Sequence, residues 1–148
     1  MNIQQSAFGL LTLAILGCLA VPAPAATTRM IAVGSIDEMQ ALNGAANPVV
    51  QVLSYYPGLN RGGGLFVWNS DGSEAPDECV TFAPRPKQDG AVKGRWMRQL
   101  PDALDATMCG AYWDNAHDDA SALTRAFAVA SARRVSLSLP APPGSAHP

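Results

Sequence analysis

Acidic, aromatic and histidine side chains cluster in the stretch Gly110-Ala111-Tyr112-Trp113-Asp114-Asn115-Ala116-His117-Asp118-Asp119. Carboxylates and a histidine are residue types used for metal binding and for acid–base chemistry. The spacing of Asp114, Asp118 and Asp119 does not match the EF-hand calcium loop, which also needs a glycine and a distal glutamate. No serine or cysteine nucleophile can be assigned beside His117. We therefore expect no catalytic constellation, no metal and no cofactor here.

Helix capping and turn chemistry explain the acidic residues better than a metal site does. Asp118 and Asp119 place negative charge where the N-terminus of a helix exposes unpaired amides. Apolar residues then recur at three- and four-residue spacing and predict one apolar helix face: Leu123, Ala126, Phe127 and Ala130. The alternating run Val135–Leu139 predicts a strand, which Pro140 ends. His117 is interpreted as a solvent-facing residue before the helix cap.

The aromatic residues divide into two groups. Trp68 and Trp96 could form a sugar-stacking platform, but aromatic side chains more often fill the core of a small domain, and we assign both to the core. Tyr112 and Trp113 lie in a predicted turn, and we predict that they form an exposed pair that contacts glycan. The run Gly62–Gly64 lacks the Lys-Ser/Thr of a phosphate-binding loop and is interpreted as a tight turn.

The first 25 residues have the pattern of a secretory signal. Residues 7–21 carry no charge and are too few to span a bilayer comfortably, which takes roughly 20 apolar residues. Ala23-Pro24-Ala25 supplies the small residues of a cleavage site. These features predict a secreted or periplasmic protein without a stable membrane span. In the alternative, Ile15-Leu16-Gly17-Cys18 acts as a lipoprotein box and Cys18 anchors the chain through a lipid.

Removal of the signal leaves two cysteines, Cys79 and Cys109, and in an oxidising compartment such a pair most often forms a disulfide. Closing a loop of about 30 residues would stabilise the fold by ~3 kcal/mol, chiefly by restricting the unfolded chain. The mature chain has the length of one small domain. Its charges nearly balance, at net −2, and no basic stripe is present, so we expect no nucleic-acid partner.

The first half of the mature chain predicts a small, mostly antiparallel sheet with one short helix against it. Ser35-Ile36-Asp37-Glu38 has the form of a capping box and predicts a helix from about Ile36 to Asn43. Four segments have strand composition or lie between turn signals: Pro48–Tyr56, Leu65–Asn69, Cys79–Ala83 and Arg95–Leu100.

In this order, the segments resemble the entry region of secreted right-handed parallel β-helix proteins of the pectate-lyase-like superfamily. The first part of the resemblance comprises a Gly-rich turn, the strand containing Phe66-Val67-Trp68, and Gly94-Arg95-Trp96. The second part follows the pattern Gly-Ala-x-x-Asp-x-x-x-Asp-Asp-Thr-x-Ala-Leu at Gly110, Ala111, Asp114, Asp118, Asp119, Ala122, Leu123 and Ala126. The sequence departs from the family at Trp113, Asn115 and the pair Arg133-Arg134, where glycines are usual, and at Ala120, where threonine is usual.

The resemblance implies an α+β fold: a small antiparallel sheet with a short helix, then a capping helix and the entry strand of a parallel β-helix that is otherwise absent. The expected organisation is a signal peptide over 1–25, a β-rich domain over 26–105, the cap helix and entry strand over 106–140, and a disordered tail over 141–148. A parallel β-helix exposes unpaired backbone at its end, which a helix laid across it covers.

The family includes polysaccharide lyases and glycoside hydrolases, whose catalytic residues lie on later coils. The resemblance therefore implies an exported cap fragment, truncated before the coils, that is associated with polysaccharide binding or degradation and is not catalytic by itself. The alternative is a self-sufficient secreted module that binds glycan or protein. If nothing covers the apolar face around Leu123 and Phe127, we expect the chain to self-associate.

Overall fold

The computed structural model describes residues 29–85 and 93–141. The predicted signal peptide, Cys18 and all but the first residue of the predicted tail over 141–148 lie outside the described residues. Neither of the α-helices in the described ranges is long and apolar enough to cross a bilayer.

A five-stranded sheet forms the first part of the fold, with its strands in the order β1-β2-β3-β5-β4. Helix α1 (Ile36–Ala41) joins β1 to β2. The strands are β1 (Ile31–Ser35), β2 (Val49–Ser54), β3 (Gly62–Asn69), β4 (Thr81–Phe82) and β5 (Arg95–Arg98). The strands β1 and β2 are parallel, and the three remaining pairings are antiparallel. The α+β class expected from the sequence is therefore confirmed, but the sheet is mixed.

The parallel strand β1 is absent from the sequence-based prediction. A parallel pair needs a crossover between its strands, and α1 supplies it. The predicted capping box is present: the Ser35 hydroxyl accepts from the Glu38 amide at 3.3 Å, and the Glu38 carboxylate accepts from the Gly34 amide at 2.9 Å. The helix ends at Ala41, earlier than predicted, because the Asn43 side chain accepts from the backbone of the following turn.

One face of the sheet and α1 enclose the first apolar core. Its largest fully buried side chains are Trp96, Phe66, Phe82 and Met39. Trp68 is half-buried at the margin and meets Trp96 edge to face, with ring centroids 5.1 Å apart. The assignment of Trp96 to the core is confirmed, whereas Trp68 packs against the core and keeps part of its ring exposed.

The triple glycine does not form a tight turn, as the sequence suggested, but begins β3. Gly62 pairs with Ser54, and Gly64 pairs with Val52. A Cβ atom at Gly62 would lie 2.2 Å from the carbonyl oxygen of Thr107. Because glycine has no side chain, it lets β3 approach a following 3₁₀ turn closely.

Arg98 on β5 is buried, with only 4% of its surface exposed. Its guanidinium donates to backbone carbonyls from three segments, those of Cys79, Gly62, Gly63 and Met108. The guanidinium also lies 4.5 Å from the centroid of the Phe66 ring. Burial lowers the pKa of Arg98 to about 10, so the side chain stays charged at neutral pH. It therefore ties the sheet to the second part of the fold.

The second part pairs two short parallel strands and covers them with a helix. The strand β6 (Ala103–Asp105) runs parallel to β7 (Ser136–Ser138). Between them lie the 3₁₀ turn Ala106–Cys109 and helix α2 (Ala120–Arg133). The strand β6 was not predicted, and β7 is shorter than the predicted Val135–Leu139.

The buried face of α2 differs from the predicted one. Phe127 is 58% exposed, and Leu123 is only partly buried. The buried residues of the helix are mostly small, namely Ala122, Ala126, Val129 and Ala130. Small side chains let α2 pack closely on Leu104 and Cys109, while Phe127 lies on the exposed side of the helix.

The structure contains the disulfide expected between Cys79 and Cys109, which are 30 residues apart. Both cysteines are fully buried. The bond joins the loop before β4 to the 3₁₀ turn, so it crosses the same junction as the hydrogen bonds of Arg98.

Three residues that stand where the resembling family usually has glycine adopt the left-handed conformation. Their φ angles are 54° at Trp113, 63° at Asn115 and 56° at Arg134. Arg134 is also the C-cap of α2, a position at which left-handed glycine commonly ends a helix. The backbone thus keeps a glycine-type conformation although the side chains have changed.

Replacing Arg134 with glycine should stabilise the protein. The substitution removes the cost of a left-handed non-glycine residue, and after the added freedom of the unfolded chain we expect a gain of about 0.5–1 kcal/mol in the free energy of unfolding. Ala132→Gly, two residues earlier on the exposed side of α2, should lower it by about 1 kcal/mol. Urea denaturation of both variants measures the difference, and a loss at both positions would contradict the prediction.

The variant Arg98→Lys should be strongly destabilised. Lysine cannot reproduce the planar fork of donors, so buried carbonyls lose their partners, and we expect a loss of about 2–4 kcal/mol in the free energy of unfolding. Arg95→Lys is the matched control on the same strand, because the Arg95 side chain donates to Glu74 and Gly94 carbonyls in a more exposed position. Chemical denaturation should show a change below about 0.5 kcal/mol for the control. Equal effects at the two positions would rule out the special role of Arg98.

Candidate functional site

The loop over residues 110–119 connects the 3₁₀ turn to α2 and contains the predicted glycan-contact pair. The Asp119 carboxylate accepts from the backbone amides of Tyr112 at 2.7 Å and Trp113 at 2.9 Å. Asp119 occupies the N-cap position of α2 but makes no side-chain bond to the helix, contrary to the capping role predicted for it. Asp118 accepts from the Ala120 amide at 2.9 Å instead. Asp119 therefore binds the backbone at the start of the loop, and Asp118 binds the first backbone amide of α2.

A second carboxylate shapes the tip of the loop. Asp114 accepts from the backbone amides of Ala116 at 2.9 Å and His117 at 3.0 Å, and it contacts Nδ1 of His117 at 2.7 Å. The hydrogen bonds from these two amides hold the pKa of Asp114 at about 2, well below its usual value. Turn chemistry, one of the alternatives raised by the sequence, accounts for this residue.

The rings of Tyr56, Tyr112 and His117 form a stack along one side of the loop. The Tyr112 ring lies 4.3 Å from Tyr56 on one side and 3.9 Å from His117 on the other, nearly parallel to both. The Tyr55 ring packs edge to face against Tyr56, with ring centroids 4.8 Å apart. Burial is the main cause of the raised pKa of Tyr56. Both faces of Tyr112 are covered, so it is half-buried rather than exposed, and its contact with glycan stays a prediction.

Trp113 lies apart from this stack. It is half-buried and packs against a small alanine cluster, Ala106, Ala111 and Ala122. Its indole nitrogen is buried without a hydrogen-bond partner in the described ranges. With Asn115, His117 and Asp119 it lines a depression of about 290 Å³, which is the open part of the loop.

Two arginine side chains bind backbone carbonyls in the loop and just before it. Arg61, just before β3, donates to the carbonyl oxygens of Tyr112 at 3.3 Å and Trp113 at 3.1 Å. Arg125 of α2 donates to the Cys109 carbonyl at 2.9 Å. The sequence did not identify Arg61 or Tyr56 as parts of the site, because a local pattern carries no sign of a partner more than 50 residues away.

The side chains of the loop offer hydrogen-bonding groups and an apolar surface. The cysteines nearest to it form the disulfide, so neither offers a thiol. Within residues 29–85 and 93–141, no three His, Cys, Asp or Glu side chains are grouped so as to hold a metal ion. The depression offers an indole, an amide, an imidazole and a carboxylate, and such a mixture suits a polar ligand with apolar patches.

Residues 32–101 match the family model described as the phage tail protein small four-stranded beta-sheet domain. These residues contain β1–β5 except the first residue of β1, but they make up fewer than half of the 148 residues. A comparison with curated protein sequences gave no match.

Solved structures with a similar fold include three β-helix or tailspike proteins. The tailspike protein of Acinetobacter phage vB_ApiP_P1 is 26% identical with a TM-score of 0.57, over 74% of this chain and 18% of that one. The enzymatically active domain of bacteriophage CBA120 tailspike protein 4 is 24% identical with a TM-score of 0.55, over 74% and 14%. Pantoea stewartii WceF, a glycan biofilm modifying enzyme with a tailspike-like parallel β-helix fold, is 22% identical with a TM-score of 0.56, over 70% and 15%.

The chain thus spans less than a fifth of the length of each of these proteins. Their likeness places its fold with a part of tailspike-type β-helix proteins, in agreement with the architecture expected from the sequence. The comparisons name tailspikes and a phage tail domain rather than the pectate-lyase-like superfamily.

The tip of the loop should stay ordered in acid until the pH approaches 2. The pKa of Asp114 in the folded protein, about 2, lies below its ordinary value of 3.8. A depressed folded pKa means that the contribution of Asp114 is fully present above pH 3.8 and is lost as the pH falls through about 2. The Ala116 and His117 amide signals in proton–nitrogen NMR spectra should follow this titration and should not show it in Asp114→Asn. A midpoint near 3.8 in the unaltered chain would contradict the prediction.

Proposed function

We propose that this chain forms the entry sheet and cap of a tailspike-like parallel β-helix protein that is associated with polysaccharide. The observation that carries the proposal is the fold similarity over 74% of this chain to a part of a phage tailspike protein. The parallel β6–β7 pair beneath α2 supports it, because parallel strands covered by a helix suit the end of a parallel β-helix.

We divide the chain at a slightly different point from the sequence-based boundary at residue 105. The strand β6 pairs with β7, so the cap and entry segment of the proposal begins at Ala103 and the β-rich domain ends before it. Export by a signal over residues 1–25 remains part of the proposal, with lipid anchoring through Cys18 as the alternative.

Exposed apolar side chains on the cap favour a partner that covers them. Phe127 is 58% exposed and Leu139 is 51% exposed, and apolar side chains of this size gain free energy when a neighbour covers them. In the proposal, β-helix coils cover this surface. Self-association of the uncovered chain remains a prediction.

We propose that glycan contact centres on the depression at Trp113, with the predicted contact of Tyr112 limited to the edge of its ring. The indole of Trp113 offers an apolar surface, and Asn115, His117 and Asp119 offer hydrogen-bonding groups around it. Sugars present both apolar C–H patches and hydroxyl groups, and such a site matches both. Both faces of the Tyr112 ring are covered. The Tyr112 backbone holds the loop, because its amide donates to Asp119 and its carbonyl accepts from Arg61.

We further propose that the chain does not cleave glycan by itself. The Asp114–His117 pair is the closest arrangement to an acid–base site in the loop. A carboxyl group with a pKa of about 2 is ionised at neutral pH and cannot act there as a general acid. The proposed chemistry of the chain is therefore binding and capping.

The junction between the two parts of the fold favours a second candidate function, a self-sufficient binding module. Arg98 and the Cys79–Cys109 disulfide tie the sheet to the 3₁₀ turn within the described residues. A domain closed in this way can fold and bind glycan or protein without coils. The two candidates share the Trp113 site and differ in whether coils are needed.

Removal of the Trp113 indole should weaken glycan binding at least tenfold, which corresponds to about 1.4 kcal/mol. Trp113→Gly is the suitable variant, because φ is 54° at this position and glycine adopts it without strain. Arg134→Gly, which relieves the same conformation outside the loop, is the control and should leave binding unchanged. Calorimetry on a panel of bacterial capsular and plant polysaccharides measures both.

Two outcomes would contradict parts of the proposal. If no polysaccharide of the panel binds, the glycan contact fails. If the purified chain releases unsaturated products or new reducing ends, the proposal that it is not catalytic fails, whatever the binding result.

A further inference from the structure

A second cavity lies beside β3 and the end of α1, at residues other than those of the Trp113 depression. It has a volume of about 360 Å³, at the lower end of the range of small-ligand pockets. Trp68 lines it, together with two polar residues, Asn43 and Ser70, and two basic residues, Arg85 and Lys93. Among the described residues that line this cavity, none is acidic. The described part of its lining is therefore aromatic, polar and cationic.

The wall that carries Arg85 is held against α1. The Arg85 amide donates to the Gln40 carbonyl at 2.8 Å, and the Gln40 side chain donates to the Ala83 carbonyl at 2.8 Å. The Arg85 guanidinium lies 2.5 Å from the Asp37 carboxylate, which compensates part of its charge. The ion pairs of the described residues do not include Lys93. Among the described residues that line this cavity, Lys93 is therefore the cation whose charge no described carboxylate offsets.

The Trp68 ring has a fixed position in the cavity. Trp96 packs against it edge to face at 5.1 Å. A Cβ atom at Gly44 would lie 2.0 Å from the indole, and one at Gly94 would lie 2.2 Å from it, so both glycines are in direct contact with the ring. Gly94 follows Lys93 in the chain, so the backbone next to the lysine lies against the indole.

Asn43 presents a donor to the same space. Its side-chain oxygen already accepts from the amides of Ala45 at 3.1 Å and Ala46 at 3.3 Å. This leaves the side-chain NH₂ as the group that can bind a ligand, and it binds only acceptors. The hydroxyl of Ser70 can donate or accept.

We propose that this cavity binds an acidic sugar residue, with the sugar carboxylate at Lys93 and the apolar face of the ring against Trp68. Asn43 and Ser70 bind its hydroxyl or carboxylate oxygens. A carboxylate beside an apolar ring face is the ligand chemistry that one lysine next to an indole complements. The choice of a sugar over other carboxylates rests on the proposed association with polysaccharide. The cavity adds a second site, selective for uronates, which the Trp113 site does not require.

The test uses the full chain and three probes: trigalacturonate, the neutral trisaccharide maltotriose, and inorganic phosphate. Trigalacturonate should quench tryptophan fluorescence and shift the NMR signals of Gly94 and of the Trp68 indole. Lys93→Gln should raise its dissociation constant at least tenfold. The matched control, Arg134→Gln, removes an equal charge from the exposed C-cap of α2 and should leave the dissociation constant unchanged. Maltotriose should leave the Trp68 indole signal unmoved.

Several results would overturn the inference. They are trigalacturonate binding that is insensitive to Lys93→Gln, shifts confined to the Trp113 loop, and an equal response to inorganic phosphate, which would indicate an anion site without sugar selectivity. Its failure can be told from failure of the proposed function. Polysaccharide binding that is lost in Trp113→Gly would survive in Lys93→Gln if only the second site were wrong.

Discussion

The buried guanidinium of Arg98 joins the five-stranded sheet to the second part of the fold. A charged group can be buried only if hydrogen bonds replace its lost water, and Arg98 obtains them from carbonyls of β3, the loop before β4 and the 3₁₀ turn. The requirement explains other features. Gly62 and Gly63 bring their carbonyls within reach because no side chain intervenes, and Phe66 supplies an aromatic face for the cation. The disulfide closes the same junction.

The sequence predicted the elements whose signals are local. The Ser35–Glu38 capping box, the helix after Asp118 and the alternating strand at Leu137 each depend on residues within one turn or one strand. The strands β1 and β6 were missed because both are short and their pairing partners lie far away in the sequence. Phe127 was placed on the apolar face of α2 by its three- and four-residue spacing, whereas the helix buries mainly its alanines.

In the candidate sites, too, the sequence predicted local features and missed contacts between distant residues. A local pattern located the loop with Trp113 and Asp114, but it did not predict that Asp119 would bind the loop amides or that Tyr56 and His117 would cover Tyr112. Those contacts depend on where the sheet meets the cap. The cavity at Trp68 was likewise invisible in the sequence, since its two cations come from opposite ends of a connection between β4 and β5.

The junction formed by Arg98 and the disulfide also affects how the protein unfolds. Arg98 and the disulfide cross the boundary between the sheet and the cap within a few residues of each other, at Cys79 on one side and at Met108 and Cys109 on the other. Opening the cap alone would strand a buried charge inside the sheet. We therefore expect heating to disrupt the two parts in a single cooperative transition.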